Sequence, residues 1–230
     1  MMDFPLIISK AYMLAQMTVC PLPDYVPAVE VIFKPTKPEF VTGAPVKMLT
    51  EALRGNKDAT HLTESSGKWR VFGITEGSMS GSGYRASYLT RTDQSGMRCI
   101  YVDSITFEIR YNPTIFIGKE LVDSECHYRV TKMHEERHVA TDLKTIKEYI
   151  PKIKMEILWY LRGLGSRGPF PQGQTDQEAT KIMKEVVEYV KPMVEKLFEE
   201  RRKRQGDIDT IENYKYESGL CPGEWPKIPD

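Results

Sequence analysis

Residues 124–141 read Ser-Glu-Cys-His-Tyr-Arg-Val-Thr-Lys-Met-His-Glu-Glu-Arg-His-Val-Ala-Thr, and here the chain changes its pattern. Before this stretch β-branched and aromatic residues dominate; from Ser124 onward good helix formers carry apolar residues at helical spacing. Within it lies His134-Glu135-Glu136-Arg137-His138, an H-E-x-x-H motif. Residues four apart share one face of a helix, so His134 and His138 present two imidazoles to one metal ion. Glu135 sits beside that face, in reach of a metal-bound water. Zinc bound in this way lowers the pKa of its water towards about 7, and a carboxylate accepts the proton as hydroxide attacks a carbonyl. The motif therefore predicts metal-assisted hydrolysis. The same five residues also make an ordinary solvated helix face laced with charge pairs. The setting, strands before and an amphipathic helix after, favours the metal.

Working back from the motif, strands are expected at Trp69–Ile74, Tyr84–Thr90 and Cys99–Tyr111. In the last, Tyr101, Asp103, Ile105, Phe107 and Ile109 alternate with Val102, Ser104, Thr106, Glu108 and Arg110. Asn112-Pro113 turns the chain into one more short strand, Thr114–Ile117. Glu76 to Gly83 lacks the Gly-Lys-Ser/Thr ending of a phosphate loop and reads as a flexible hairpin tip, with a flap over an active site as the alternative. Further back, Leu49–Arg54 makes a helical turn and Gly55–Lys68 a polar loop. Residues 1–45, with six prolines from Pro21 to Pro45, form an extended N-terminal segment in which Val29–Phe33 is a short or edge strand.

Working forward, a helix spans about 124–163, with Met133, Ala140, Leu143, Ile150, Ile153 and Ile157 on its buried stripe and Pro151 kinking or dividing it. Gly163–Gly173 is a loop. Thr175 and Glu178 match a capping box that opens a second helix, about 175–205, with Ile182, Val186, Val190, Val194, Leu197 and Phe198 as its core face, a kink at Pro192 and an end at Gly206. The fold class is α+β: a small antiparallel sheet, then the long motif-bearing helix packed on a second long helix, all in one domain from 46 to 230 with a tail from 206.

Composition sets the bounds. The chain has 230 residues, 40% hydrophobic and 28% charged, enough for one sizeable core. Lys plus Arg equals Asp plus Glu at 32 each, so no global field calls for nucleic acid or an anionic membrane. Arg201 to Arg204 follows two glutamates at a helix end, where cations are favoured, and reads as a solvated terminus. Phe4–Val19 is broken by Lys10 and Gln16 and is too short to cross a bilayer; without a basic flank it is also a poor secretion signal. Cys20, Cys99, Cys126 and Cys221 contain no C-x-x-C pair, which disfavours a zinc knuckle; their even number fits two disulfides or four buried thiols.

Two histidines leave a catalytic zinc short of a third protein ligand. Asp142 is eight residues from His134, about 12 Å along a straight helix, so it is assigned to orienting a histidine or to the exposed surface. If the two long helices fold back on each other, the rows opposite 134–138 fall near 198–204, and Asp207 and Asp209 come next. Asp209 is the expected third ligand, with Glu156 as runner-up and Glu199, Glu200 and Glu212 as further candidates; Asp207 and Asp209 are alternatively turn and capping residues. His127 lies two turns from His134, in a packing or orienting role, and His61 lies in a polar loop.

The stretch from Ile115 to Tyr149 resembles poorly characterised bacterial proteins described as zinc-dependent, zincin-like metalloproteases. It is joined in this by Cys126 to Tyr128, by Ile208-Asp209-Thr210-Ile211-Glu212-Asn213-Tyr214, and by Cys221. The resemblance implies zinc at His134 and His138, Glu135 as general base, a peptide or protein substrate, a periplasmic or secreted setting, and a Cys126–Cys221 or Cys99–Cys126 disulfide. A zinc amidase of another substrate class, and a zincin-like scaffold without catalysis, remain the competing readings. Nothing in the sequence speaks to oligomeric state.

Overall fold

A computed structural model describes residues 20–54 and 70–228. The elements in chain order are β1 (Ala28–Pro35), β2 (Glu39–Val41), α1 (Val46–Arg54), β3 (Gly73–Thr92), β4 (Met97–Ile117), α2 (Glu125–Leu164), β5 (Arg167–Pro171), α3 (Thr175–Gly206) and α4 (Ile211–Ser218). Alternation makes β4 the organising strand: Ile109, Tyr111, Ile115 and Ile117 are all buried on one side of its pleat. Strands β1, β2, β3 and β5 all pair with it.

The sheet is mixed, not the antiparallel one expected. β2 runs parallel to β4, with Phe40 opposite Ile115, while β5 runs antiparallel to it, with Phe170 opposite Arg98. Part of the reason is the chain between β2 and β4: a parallel partner needs a long connection, and the stretch that includes α1 and β3 provides it. β3 and β4 are joined by the tight turn at 93–96, where the Asp93 N–H donates to the Met97 carbonyl and the Asp93 side chain accepts from the Ser95 and Met97 N–H groups.

Several sequence expectations on length need correcting. The run from Glu76 to Gly83 is no hairpin tip and no flap, because β3 continues through it as one 20-residue strand. Asn112-Pro113 does not turn the chain: β4 is one strand of 21 residues, and Pro113, with no N–H to donate, falls just before the β2 pairing starts at Thr114. Pro151 and Pro192 leave α2 and α3 as single helices of 40 and 32 residues. The segment read as loop 163–173 contains β5. Thr175 does not cap α3; its backbone is already helical and its hydroxyl donates to the Gln172 carbonyl. His61 and the 55–68 loop lie outside the described residues.

The chain divides into two compact units. One holds the described residues up to 32, with 83–107 and 151–193. Its core comprises Tyr101, Ile105, Ile153, Ile157, Phe170, Ile182 and Val186, with Cys20 and Cys99 joined as a disulfide. Gly168 is held at φ +126, where an added Cβ would stand 2.6 Å from the Arg98 carbonyl oxygen, so only glycine fits this approach of β5 to β4. The other unit holds the described parts of 33–82, with 108–150 and 194 onward; the expected boundary at residue 45 falls inside it. Val46, Leu49, Ile109, Ile117, Leu121, Ile146 and Leu197 are buried there. In this unit α2 and α3 run side by side in opposite directions, as expected, with Gln205 against His138, Arg201 against Asp142, and Arg204 against Thr145 and Glu148. Arg201 and Arg204 are thereby tied into the helix pair, which corrects the solvated-terminus reading for two of the four cations. Among the described residues no helix is long and apolar enough to cross a membrane.

Candidate metal centre

In its first half α2 turns a polar face inward. Thr131, His134, Glu135, His138, Asp142 and Thr145 recur at helical spacing and are all buried, with His134 5%, Glu135 4%, His138 7% and Asp142 2% exposed. The stripe expected from hydropathy is rotated away from them: Met133 is 45% exposed and Ala140 is exposed, the buried apolar residues of this half being Val130 and Val139, and the stripe continues at Ile146, Ile153 and Ile157. The motif is thus not a solvated charged face. Burying such groups is costly unless each is partnered, and His134, Glu135, His138, Asp142 and Thr145 all are.

His134 and His138 place their Nε2 atoms 3.0 Å apart, and Asp209 Oδ1 lies 3.1 Å from each. Asp209 comes from the turn between α3 and α4, the place that helix pairing predicted. The opposite ring nitrogens are fixed. His134 Nδ1 donates to Glu217 Oε2 at 2.8 Å, and Glu217 is also held by Arg137. His138 Nδ1 donates to Gln205 Oε1. The Gln205 amide cannot face the other way, because its Nε2 donates to the His138 carbonyl at 3.1 Å and to Asp142 Oδ1 at 2.7 Å. Asp142 in turn accepts from Tyr111 Oη at 2.9 Å and from the Arg201 guanidinium. With both Nδ1–H groups committed, the two Nε2 atoms and a carboxylate oxygen converge on one point; in the metal-free protein they hold protons there, and once deprotonated they can offer a cation three ligand atoms.

The donor set fits a metal. Bonds of about 2.0–2.1 Å in tetrahedral array put ligand atoms about 3.3 Å apart, so small outward shifts of this triangle suffice, and three protein ligands leave one position open. His134, His138 and Asp209 are the one group of metal-ligand character found among the described residues. In the metal-free protein burial alone would lower the His138 pKa, but the hydrogen bond and charge of Asp209 outweigh it and hold it up at about 9. Burial would raise the Asp209 carboxyl, yet the hydrogen bonds from the two imidazoles keep it well below the usual carboxylate range. Tyr214 stacks on the His134 ring at 5.1 Å and donates its hydroxyl to Asp209 Oδ1 at 2.6 Å; burial keeps that phenol protonated.

Glu135 is placed by β3. Thr75 Oγ1 donates to its Oε2 at 2.8 Å, and Gly73 lies so close that a Cβ there would stand 2.6 Å from Oε1. Burial raises the Glu135 pKa above its ordinary value, partly offset by the charges of His138 and His134. A carboxylate of raised pKa beside a cation site suits proton transfer near neutrality.

The other sequence candidates fall elsewhere. Glu156 lies about five turns beyond His138 on the unbroken α2, in the other unit, and the absence of a break is why it does not join the site. Asp207, Glu199 and Glu212 are exposed, and Glu200 pairs with Arg204. Asp142 is not exposed; it orients His138, one residue removed, through Gln205. His127 packs edge-on against Trp225 at 4.6 Å and bonds Ser124. Sequence reasoning missed Glu217, Gln205, Thr75 and Tyr214. Glu217 had a signal: Cys126 and Cys221 form a disulfide, which brings the end of α4 to the start of α2. No protein-family model, curated protein or solved structure matches this chain.

Proposed function

We propose that this protein is a zinc-dependent hydrolase of zincin-like type acting on peptide amides, with His134, His138 and Asp209 as metal ligands and Glu135 as general base. The observation that carries this reading is the convergence of two tautomer-fixed Nε2 atoms and Asp209 Oδ1 within 3.1 Å, next to a buried carboxylate. Zinc held there supplies an acidified water and polarises a carbonyl. Glu135, anchored through Oε2 by Thr75, accepts a proton at its other oxygen and returns it to the leaving amine. Glu217 and the Asp142–Gln205 pair keep the two rings in the ligating tautomer. Tyr214 keeps Asp209 turned towards them.

The choice of peptide amides draws on the sequence resemblance, and a cell-wall amide uses the same chemistry. The burial of both histidines and Glu135 favours one further reading, a structural metal site without turnover. Glu135→Gln separates the two. For a hydrolase, zinc content stays at wild type and cleavage of a peptide library disappears; for a structural centre, wild type and variant bind zinc alike and neither cleaves.

A further inference from the structure

We propose that the Cys126–Cys221 disulfide is a redox lock on this centre: its closure completes the ligand shell, and its reduction by a dithiol releases the segment that carries Asp209 and Glu217. The inference rests on reading the centre as a zinc site. α2 by itself supplies only the two histidines. Asp209, Tyr214 and Glu217 all come from the short segment after α3; Asp209 is anchored by its N–H on the Gln205 carbonyl and by buried Ile208, and the part beyond it, with Tyr214 and Glu217, has less to hold it. α4 has 8 residues, too few for a helix to stand alone, and Glu217 is its buried residue. Ile211, Tyr216 and Leu220 are exposed. Its docking rests on polar contacts to His134 and Arg137, on Trp225 against Phe72 and His127, and on the disulfide.

The bond sits where it matters. Cys221 follows Glu217 by one helical turn's worth of chain, and Cys126 precedes His134 by about two turns of α2. It closes a loop of 95 residues, so its loss returns a large conformational freedom to the segment. Cys126 is half-buried in the first turn of α2 while Cys221 is 6% exposed, so an incoming thiolate attacks Cys126 and Cys221 is the sulfur that leaves. A dithiol attacks the bond to form a mixed disulfide and its second thiol resolves it. Two electrons and two protons pass to Cys126 and Cys221, which become thiols, and the dithiol becomes a disulfide. Zinc and the closed disulfide then favour each other reciprocally. The protein loads zinc in an oxidising compartment and stays unloaded in a reducing one. Cys20–Cys99, buried in the core of the other unit, is the internal control.

The test is zinc affinity by competition with a chromophoric chelator, on the full chain, for wild type, Cys126→Ser/Cys221→Ser and Cys20→Ser/Cys99→Ser, with circular dichroism to check folding. The expected result is a loss of tenfold or more in the first variant and less than threefold in the second. Equal affinity in wild type and Cys126→Ser/Cys221→Ser overturns the lock and leaves the metal centre standing; no zinc binding by wild type overturns both. Should the first variant fail to fold, the oxidised wild type is loaded with zinc and treated with a phosphine reductant, with alkylation and mass spectrometry to identify the opened pair. Zinc release in step with modification of Cys126 and Cys221 supports the lock, and zinc retained after both are alkylated overturns it.

Discussion

Gln205→Leu isolates the role of a residue that touches neither metal nor substrate. Leucine keeps most of the volume and removes the amide. His138 Nδ1–H then loses its acceptor, and the His138 carbonyl and Asp142 Oδ1 each lose one donor. Asp142 keeps Arg201 and Tyr111, so the helix pair retains its charge contact. A buried donor left unpaired costs about 1–3 kcal/mol, and the imidazole is free to swap tautomer or rotate. Loss of such a supporting partner weakens metal binding about 10- to 100-fold, or about 1.4–2.8 kcal/mol. Gln205→Glu supplies the contrast. It preserves an acceptor for His138 but sets a carboxylate against Asp142 Oδ1 where the amide donated at 2.7 Å. Its zinc affinity should remain within about threefold of wild type while its stability falls. Chelator competition gives the affinities and thermal melting the stabilities. Wild-type zinc affinity in Gln205→Leu, with the protein folded, refutes the assignment of the His138 tautomer to this amide.

Three more expectations rest on the same geometry. Gly73→Ala puts a methyl 2.6 Å from Glu135 Oε1 and 2.8 Å from Thr131 Cγ2, so it should cut hydrolysis at least tenfold while zinc content stays near wild type, read by steady-state kinetics with elemental analysis. In the metal-free protein His138 titrates at about 9, above its ordinary 6.5, so its contribution to stability is full below about 6.5 and is lost as pH rises through about 9. Because that proton must leave before zinc binds, zinc affinity should rise over the same interval, and saturating zinc should flatten the fall in melting temperature that the metal-free protein shows there. Ile157→Ala, at a position 1% exposed in the core of the first unit, should destabilise by about 2–5 kcal/mol in chemical denaturation with zinc stoichiometry unchanged.

The parts of the fold that obey a simple period were legible. β-branched alternation marked β4, and apolar spacing placed α2 and α3 within a residue or two of their ends. The position of Asp209 beside the motif was legible as well, because two long helices joined by a short connection must pair antiparallel, and that carries Asp209 to the two histidines. Periodicity misled where burial is polar. Met133 and Ala140 were assigned to the core because the true inward face of α2 there, besides Val130 and Val139, is built from Thr131, His134, Glu135, His138 and Asp142, which hydropathy places outside. Glycine and proline misled along the strands: Gly77, Gly81 and Gly83 read as a turn, yet β3 runs straight through them. At Gly77 the bare backbone is needed, since a Cβ there would stand 2.7 Å from both Asp142 Oδ2 and the Tyr111 ring. The parallel pairing of β2 depends on contacts between residues about 75 apart in sequence, which no local pattern encodes. Glu217, Gln205 and Thr75 are ordinary helix or strand residues by sequence; they acquire their roles only when three elements meet.

Zinc stoichiometry decides whether the two histidines and Asp209 hold a metal. Wild type and His138→Ala, purified side by side without added metal and analysed by elemental mass spectrometry, should give about one zinc per chain and close to none, respectively. No zinc in either protein, even after zinc is offered and excess removed, would contradict the metal centre and leave the His134, His138 and Asp209 cluster as a proton-sharing contact between helices.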